Sequence, residues 1–95
     1  MTIQHKESGS KGVFFISDED KIAAELTYSV LQENQMMIDH TRVDEELQGA
    51  NIGYELVHTA VNYARTHRYV VIPACQFARA VMEKKPEFKD VMASH

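Results

Sequence analysis

The sequence predicts an α+β fold of the α/β kind: an antiparallel β-meander followed by α-β-α, giving a mixed sheet with helices packed on it. Three observations predict it. Apolar residues alternate with period two along Lys21 to Leu31 and again along Gln35 to Val43. The period changes to that of a helix at Ile52. A short β-branched run, Tyr69-Val70-Val71-Ile72, follows that helix and precedes a second one.

Residues 1–11 are polar and contain Gly9 and Ser10, which suits a loose arm or a short edge strand. Gly12 to Ser17 is rich in Val, Phe and Ile and is bounded by turn residues, so it reads as a strand. Ser17-Asp18-Glu19-Asp20 makes a hairpin turn. In the next strand Ile22, Ala24, Leu26, Tyr28 and Val30 share one face, and Ala23, Glu25, Thr27 and Ser29 share the other. Gln32-Glu33-Asn34 turns the chain into a third strand, with Met36, Ile38 and His40 expected on one face and Asp39 opposite. Ile52, Leu56, Val57, Ala60, Val61 and Ala64 then form the apolar stripe of a helix that frays near His67. The run at 69–74 reads as a central strand, buried on both faces and parallel to its predecessor. Pro73-Ala74-Cys75 ends it. Gln76 to Lys85 is a second helix with Phe77, Ala80 and Val81 inward, and Pro86 opens a last short turn that brings Phe88 back. The helix between parallel strands implies one right-handed crossover.

The chain has 95 residues, enough for one domain spanning 1–95. It carries 10 Lys+Arg against 14 Asp+Glu, a balance opposite to that of a nonspecific nucleic-acid binder. No apolar run approaches the roughly 20 residues of a membrane span, and the first residues lack the apolar segment of a secretory signal. A single cysteine, Cys75, excludes an internal disulfide and a multi-cysteine zinc site. The expectation is a cytoplasmic protein without membrane, nucleic acid or metal. His40, Cys75 and His58 offer no tight ligand spacing. A monomer or weak homodimer is expected, the strand at 12–17 being free to pair with another chain.

Chemistry is suggested by the segment between the third strand and the long helix. Gly49, Asn51 and Gly53 alternate where that helix starts, with Gln48, Ala50, Ile52 and Tyr54 around them. Residues tolerant of positive φ let backbone N–H groups converge, and the first helical turn adds unpaired amides at the positive end of the dipole. A diphosphate fits such a site. A plain loop with a helix cap fits the same residues.

The strand order, together with Gln48-Gly49-Ala50-Asn51-Ile52-Gly53, resembles the GNAT superfamily of acyl-CoA-dependent N-acetyltransferases. The pattern [Gln/Arg]-x-x-Gly-x-Gly is matched at Gln48 and Gly53 and departs at Asn51, where the family has Gly. Asn is the non-glycine residue most at ease with positive φ. Asp39-His40-Thr41, Tyr63-Ala64-Arg65, Cys75 and Pro86-Glu87-Phe88 are similar to the pattern of the smallest, single-domain GNAT-like proteins, from about Gly12 to Met92. The resemblance implies a truncated GNAT-like fold that splays between the strands at 35–43 and 69–74. Acetyl-CoA would enter there, with its pantetheine along the backbone of Thr41, Arg42 and Val43 and its diphosphate over Gln48 to Gly53, Tyr54 also belonging to the cofactor site. The thioester would point toward His40 and Cys75.

Cys75 lies between a strand and a helix, where the helix dipole favours thiolate. It is a candidate nucleophile, a candidate proton donor to the departing CoA thiolate, or a small buried hydrophobe. His40 suits a general base for an amine acceptor or for Cys75, or a satisfied core residue. Arg42, Arg65, Arg68 and Arg79 are candidates for CoA phosphates or solvated charges. The expected function is an acetyl-CoA-binding N-acetyltransferase with an unidentified amine acceptor. The alternative is a non-catalytic CoA-binding or protein-interaction module.

Overall fold

A computed structural model describes residues 2–92. Five strands form one sheet in the order β1 (Gln4–Ser8), β2 (Lys11–Asp18), β3 (Lys21–Leu31), β4 (Gln35–Val43) and β5 (Val70–Pro73). The first four are antiparallel and β5 runs parallel to β4. A 3-10 turn at Glu45–Leu47 leads to α1 (Ile52–His67). After β5 come α2 (Gln76–Lys84) and a 3-10 turn at Pro86–Val91.

The polar start of the chain is therefore an edge strand rather than a loose arm. Strand β1 pairs with β2 from Gln4↔Phe15 to Ser8↔Lys11, so the edge at 12–17 is already occupied within the chain. Periodicity did not reveal β1 because all five of its residues are exposed. Strand β5 is parallel to β4 as expected, but it closes the other side of the sheet instead of sitting centrally. Only Val71 is fully buried there, and Val70 is exposed. An isolated bridge from Met92 to Val71 partly covers this edge.

One apolar cluster joins the sheet to the helices. It holds Phe14 and Ile16 of β2, Leu26 and Tyr28 of β3, Met36 and Ile38 of β4, and the α1 stripe from Leu56 to Ala64. In α2 the buried residues are Ala78 and Met82; Phe77 and Ala80 face outward, which corrects the expected inward set. A buried Phe88 anchors the final turn, and removing a side chain of that size from water stabilises by about 1.5–3 kcal/mol. Arg65 of α1 clamps the same turn, donating to both Asp90 carboxylate oxygens at 2.9 Å and to the Glu87 carbonyl.

Two irregularities shape the sheet. Ile22 pairs with Ser17 after a register shift next to Ile16↔Ala24, which leaves Ile22 exposed and Ala23 buried, against simple alternation. In β4 the register passes from Tyr28↔Ile38 to Thr27↔His40, so Asp39 is an extra residue, a β-bulge. Beyond it the faces exchange. Thr41 and Val43 oppose Leu26 and Ala24 on the helix-covered face, while His40 opposes Thr27 on the other. His40 is thus not on the Met36–Ile38 face. Asp39 also lies opposite that face, where its carboxylate accepts from Ser29 Oγ at 2.7 Å.

Candidate functional site

Strands β4 and β5 pair only from Gln35↔Val70 to Ile38↔Pro73. A last bond, Ala74 N–H to the Ile38 carbonyl at 3.0 Å, closes that stretch. Strand β4 runs on to Val43 while β5 stops at Pro73, and the two part. Asp44 N–H donates to the Ala23 carbonyl, so Ala24↔Val43 and Leu26↔Thr41 are the non-hydrogen-bonded pairs of the β3–β4 ladder. The main-chain groups of Thr41 and Val43 consequently face the gap. Gln48 Nε2 donates to the Val43 carbonyl at 3.2 Å across the mouth of that gap.

A cavity of about 750 Å³ opens beside this edge. Thr41 and Val43 form its strand wall, and Gln48, Gly49, Asn51, Ile52, Gly53 and Tyr54 form its loop wall. Leu47 and the α2 residues Phe77, Val81, Lys84 and Lys85, which ends that helix, complete it. The α2 wall was not foreseen. Its signal was available in Phe77, Val81 and Lys84, spaced by four and three residues and so on one helix face.

The loop takes its shape from two left-handed residues. Gly49 has φ of 89° and Asn51 has φ of 64° with ψ of 22°. Asn51 caps α1 without a side-chain hydrogen bond, so nothing from its own side chain covers the first turn. The N–H groups of Gln48 and Ala50 are used internally, by the carbonyls of Glu45 and Leu47. Among the described residues the N–H groups of Gly49, Asn51, Ile52, Gly53 and Tyr54 have no acceptor; the first helical bond is Glu55 N–H to the Asn51 carbonyl. Ala50 is the one loop residue that does not line the cavity. A Cβ at Gly53 would lie 2.5 Å from the tip of the Phe77 ring, which would have to move aside.

Neither Cys75 nor His40 lines the cavity; Cys75 has extended backbone and caps α2. Its Sγ accepts from Ala78 N–H at 3.5 Å and donates to Thr41 Oγ1 at 3.5 Å. Thr41 is therefore the side chain that meets Cys75, and His40, exposed on the opposite face, is not. Sequence spacing missed this partnership because the bulge reverses the alternation.

The basic residues divide clearly. Arg42 opposes Glu25 on the face away from the cavity; burial pulls against its charge, and bonds to Asp44 and Glu25 outweigh that and hold its pKa above the usual value. Arg65 is likewise held up by Asp90, and Asp90 is held below the usual carboxylate range by Arg65. Arg68 caps α1 in a left-handed conformation, and Arg79 donates to the Pro73 carbonyl at 3.4 Å. Lys85 is stacked over the Tyr54 ring, 5.3 Å from its centroid, and Tyr54 donates to Glu87 at 2.8 Å. That bond, with burial, raises the Tyr54 pKa. No group of three or more His, Cys, Asp or Glu gathers as a metal would require among the described residues. No helix there is long and apolar enough to cross a membrane.

A splayed parallel pair, an open strand edge and a loop of free amides at a helix start define an acetyltransferase fold. The profile described as GCN5-related N-acetyl-transferase matches residues 13–91. The chain belongs to that family. An NMR structure of a GCN5-like N-acetyltransferase candidate from Staphylococcus aureus is 33% identical, with 97% of this chain and 89% of that chain covered and a TM-score of 0.74. Two longer proteins share the fold: a ribosomal-protein-alanine N-acetyltransferase from Brucella melitensis (12% identity, 93% and 65% covered, TM-score 0.66) and an aminoglycoside acetyltransferase from a soil metagenome (20%, 93% and 62%, 0.65). The chain thus spans under two thirds of each of those two. No curated protein matches it.

Proposed function

We propose that the protein binds acetyl-CoA in the cleft between β4 and α2 and transfers the acetyl group to an amine. The observation that carries this reading is the set of acceptor-free amides on Gly49 and Asn51 to Tyr54, lining a cavity that includes Thr41, whose hydroxyl meets the Cys75 thiol. The diphosphate lies on those amides, favoured by the dipole of the 16-residue α1. The pantetheine arm completes the sheet along Thr41 and Val43, and an N–H of that strand polarises the thioester carbonyl. Arg42, expected to share in that grip, does not: its main-chain groups face β3 and its guanidinium is engaged elsewhere.

In the direct route the amine nitrogen attacks the thioester carbon, the C–S bond breaks, and the Cys75 thiol gives its proton to the departing CoA thiolate. His40, on the sheet face that the helices leave open, takes the proton released by the amine. In the covalent route the Cys75 sulfur attacks first, CoA leaves as the thiol carrying the Cys75 proton, and the amine then displaces acetyl from sulfur. The contact with Thr41, rather than His40, restricts His40 to the amine proton in both.

Intact-mass analysis after incubation with acetyl-CoA tests the reading. One added acetyl group on the wild type, absent from Cys75→Ala, identifies the covalent route. Turnover with an amine panel and no mass change identifies direct transfer. Saturable acetyl-CoA binding without CoA release from any amine identifies a binding module instead. Absence of binding overturns the proposal.

A further inference from the structure

We infer that the sheet face opposite the helices takes the acceptor, and that this acceptor is a linear amino carboxylate, with its ammonium at Asp39 and its carboxylate at Lys6 and Lys11. The inference rests on the acetyl-transfer reading above and names its substrate class. A second cavity, of about 680 Å³, lies on that face. Register sets its floor. Lys6 pairs with Val13, Val13 with Thr27 and Thr27 with His40, so these four form one row from β1 to β4. Lys11 and Ser29 pair in the next row. The cavity lies over these two rows, with both lysines at its β1–β2 end and Asp39 at its β4 end.

Charge polarises this cavity. Among the described residues neither Lys6 nor Lys11 has a carboxylate within salt-bridge distance. The Lys6 ammonium leans over the sheet, 5.7 Å from the centroid of the Phe15 ring. Glu7 does not neutralise it, because the Glu7 carboxylate accepts from Tyr63 of α1 on the helix-covered face. At the other end, one carboxylate oxygen of Asp39 accepts from Ser29 at 2.7 Å, and the second is left for an ammonium. The amine belongs at this end because β4 and β5 part directly after the bond from Ala74 N–H to the Ile38 carbonyl. Asp39 and His40 are the next residues of β4, on the open face, and Thr41, which meets Cys75, is on the other. From Lys6 to His40 the row crosses three strand spacings, roughly 14 Å at the main chain. An extended tripeptide spans about 10 Å, and the lysine side chains make up the difference. A polyamine of the same length would set a second cation against the two ammonium groups.

Steady-state acetylation of triglycine, triglycine amide and spermidine, with acetyl-CoA binding followed by calorimetry, tests this on the wild type and on the Lys6→Gln/Lys11→Gln double variant. For the wild type, kcat/KM should be about tenfold higher with triglycine than with its amide, the scale of one charge-assisted hydrogen bond. The difference should lie in KM and fade at high salt, and spermidine should be the poorest acceptor. The double variant should treat the two peptides alike while binding acetyl-CoA as the wild type does, which also shows that it folds. Equal use of the two peptides, or a preference for spermidine, overturns the inference and leaves the acetyl-transfer reading standing. A preference for triglycine that survives in the double variant overturns the role of the lysines. Binding of acetyl-CoA with acetylation of none of the three overturns the inference while leaving the cofactor site in place. Failure to bind acetyl-CoA overturns the cofactor reading and this inference with it.

Discussion

Thr41 shows how one extra residue redirects chemistry. Without the bulge at Asp39, strict alternation would put His40 beside Cys75 and turn Thr41 away. With it, the Thr41 hydroxyl receives the Cys75 thiol. The same hydroxyl can rotate to donate to a thiolate. Thr41→Val should therefore slow alkylation of Cys75 by iodoacetamide near neutral pH severalfold. Stability should change by no more than about 1 kcal/mol, the net worth of a hydrogen bond. An unchanged alkylation rate would remove Thr41 from the chemistry. The loop residues Gly49, Asn51 and Gly53 were legible from the sequence because positive φ and close approach have few residue types that allow them. The Thr41–Cys75 contact was not, because polar neighbours such as Asp39 and His40 carry no mark of which one is the inserted residue.

At the scale of elements, periodicity located most of the fold. The ranges of β3, β4 and α1 are those that the apolar repeats suggested, although irregularities interrupt the alternation within both strands. Strand β1 lacked such a repeat since all five of its residues are exposed. The apolar run of β5 suggested burial on both faces, but edge position exposes Val70. The meander contains one tight packing constraint. Gly12 of β2 faces Tyr28 of β3, and a Cβ at Gly12 would come within 2.3 Å of the phenol. Tyr28 is fully buried, and its hydroxyl is bonded to His5 at 2.7 Å, so the ring has little room to yield. Gly12→Ala should cost about 1–3 kcal/mol, as overpacking does, read as a lower urea midpoint with unchanged slope. An unaffected midpoint would mean that the ring moves aside freely.

For the whole molecule, the clamp from α1 to the final 3-10 turn ties stability to acid. Arg65 keeps the folded Asp90 pKa below its unfolded value of 3.8. The stabilisation is accordingly present above that value and is lost as pH falls through the lower folded one. Asp90→Asn should lower the thermal midpoint at neutral pH and narrow the gap to wild type as pH drops toward 3. A gap that is constant across that range would show the pair to be energetically idle, as exposed pairs often are. The fold class was readable from patterning, whereas the cleft needed β4, the loop and α2 together, and only the first two announced themselves in the sequence.

Strand β4 outlasts its parallel neighbour, and what it turns toward the gap there is main chain as well as side chain. Recognition written into peptide groups cannot be deleted by exchanging one amino acid for another, short of proline. Under the function proposed above, positions 41 and 43 would thus be free to vary in the service of catalysis or packing while the grip on a pantetheine arm persisted. Any diversification of donor choice would then fall to the helix across the cleft, whose side chains rather than main chain line it.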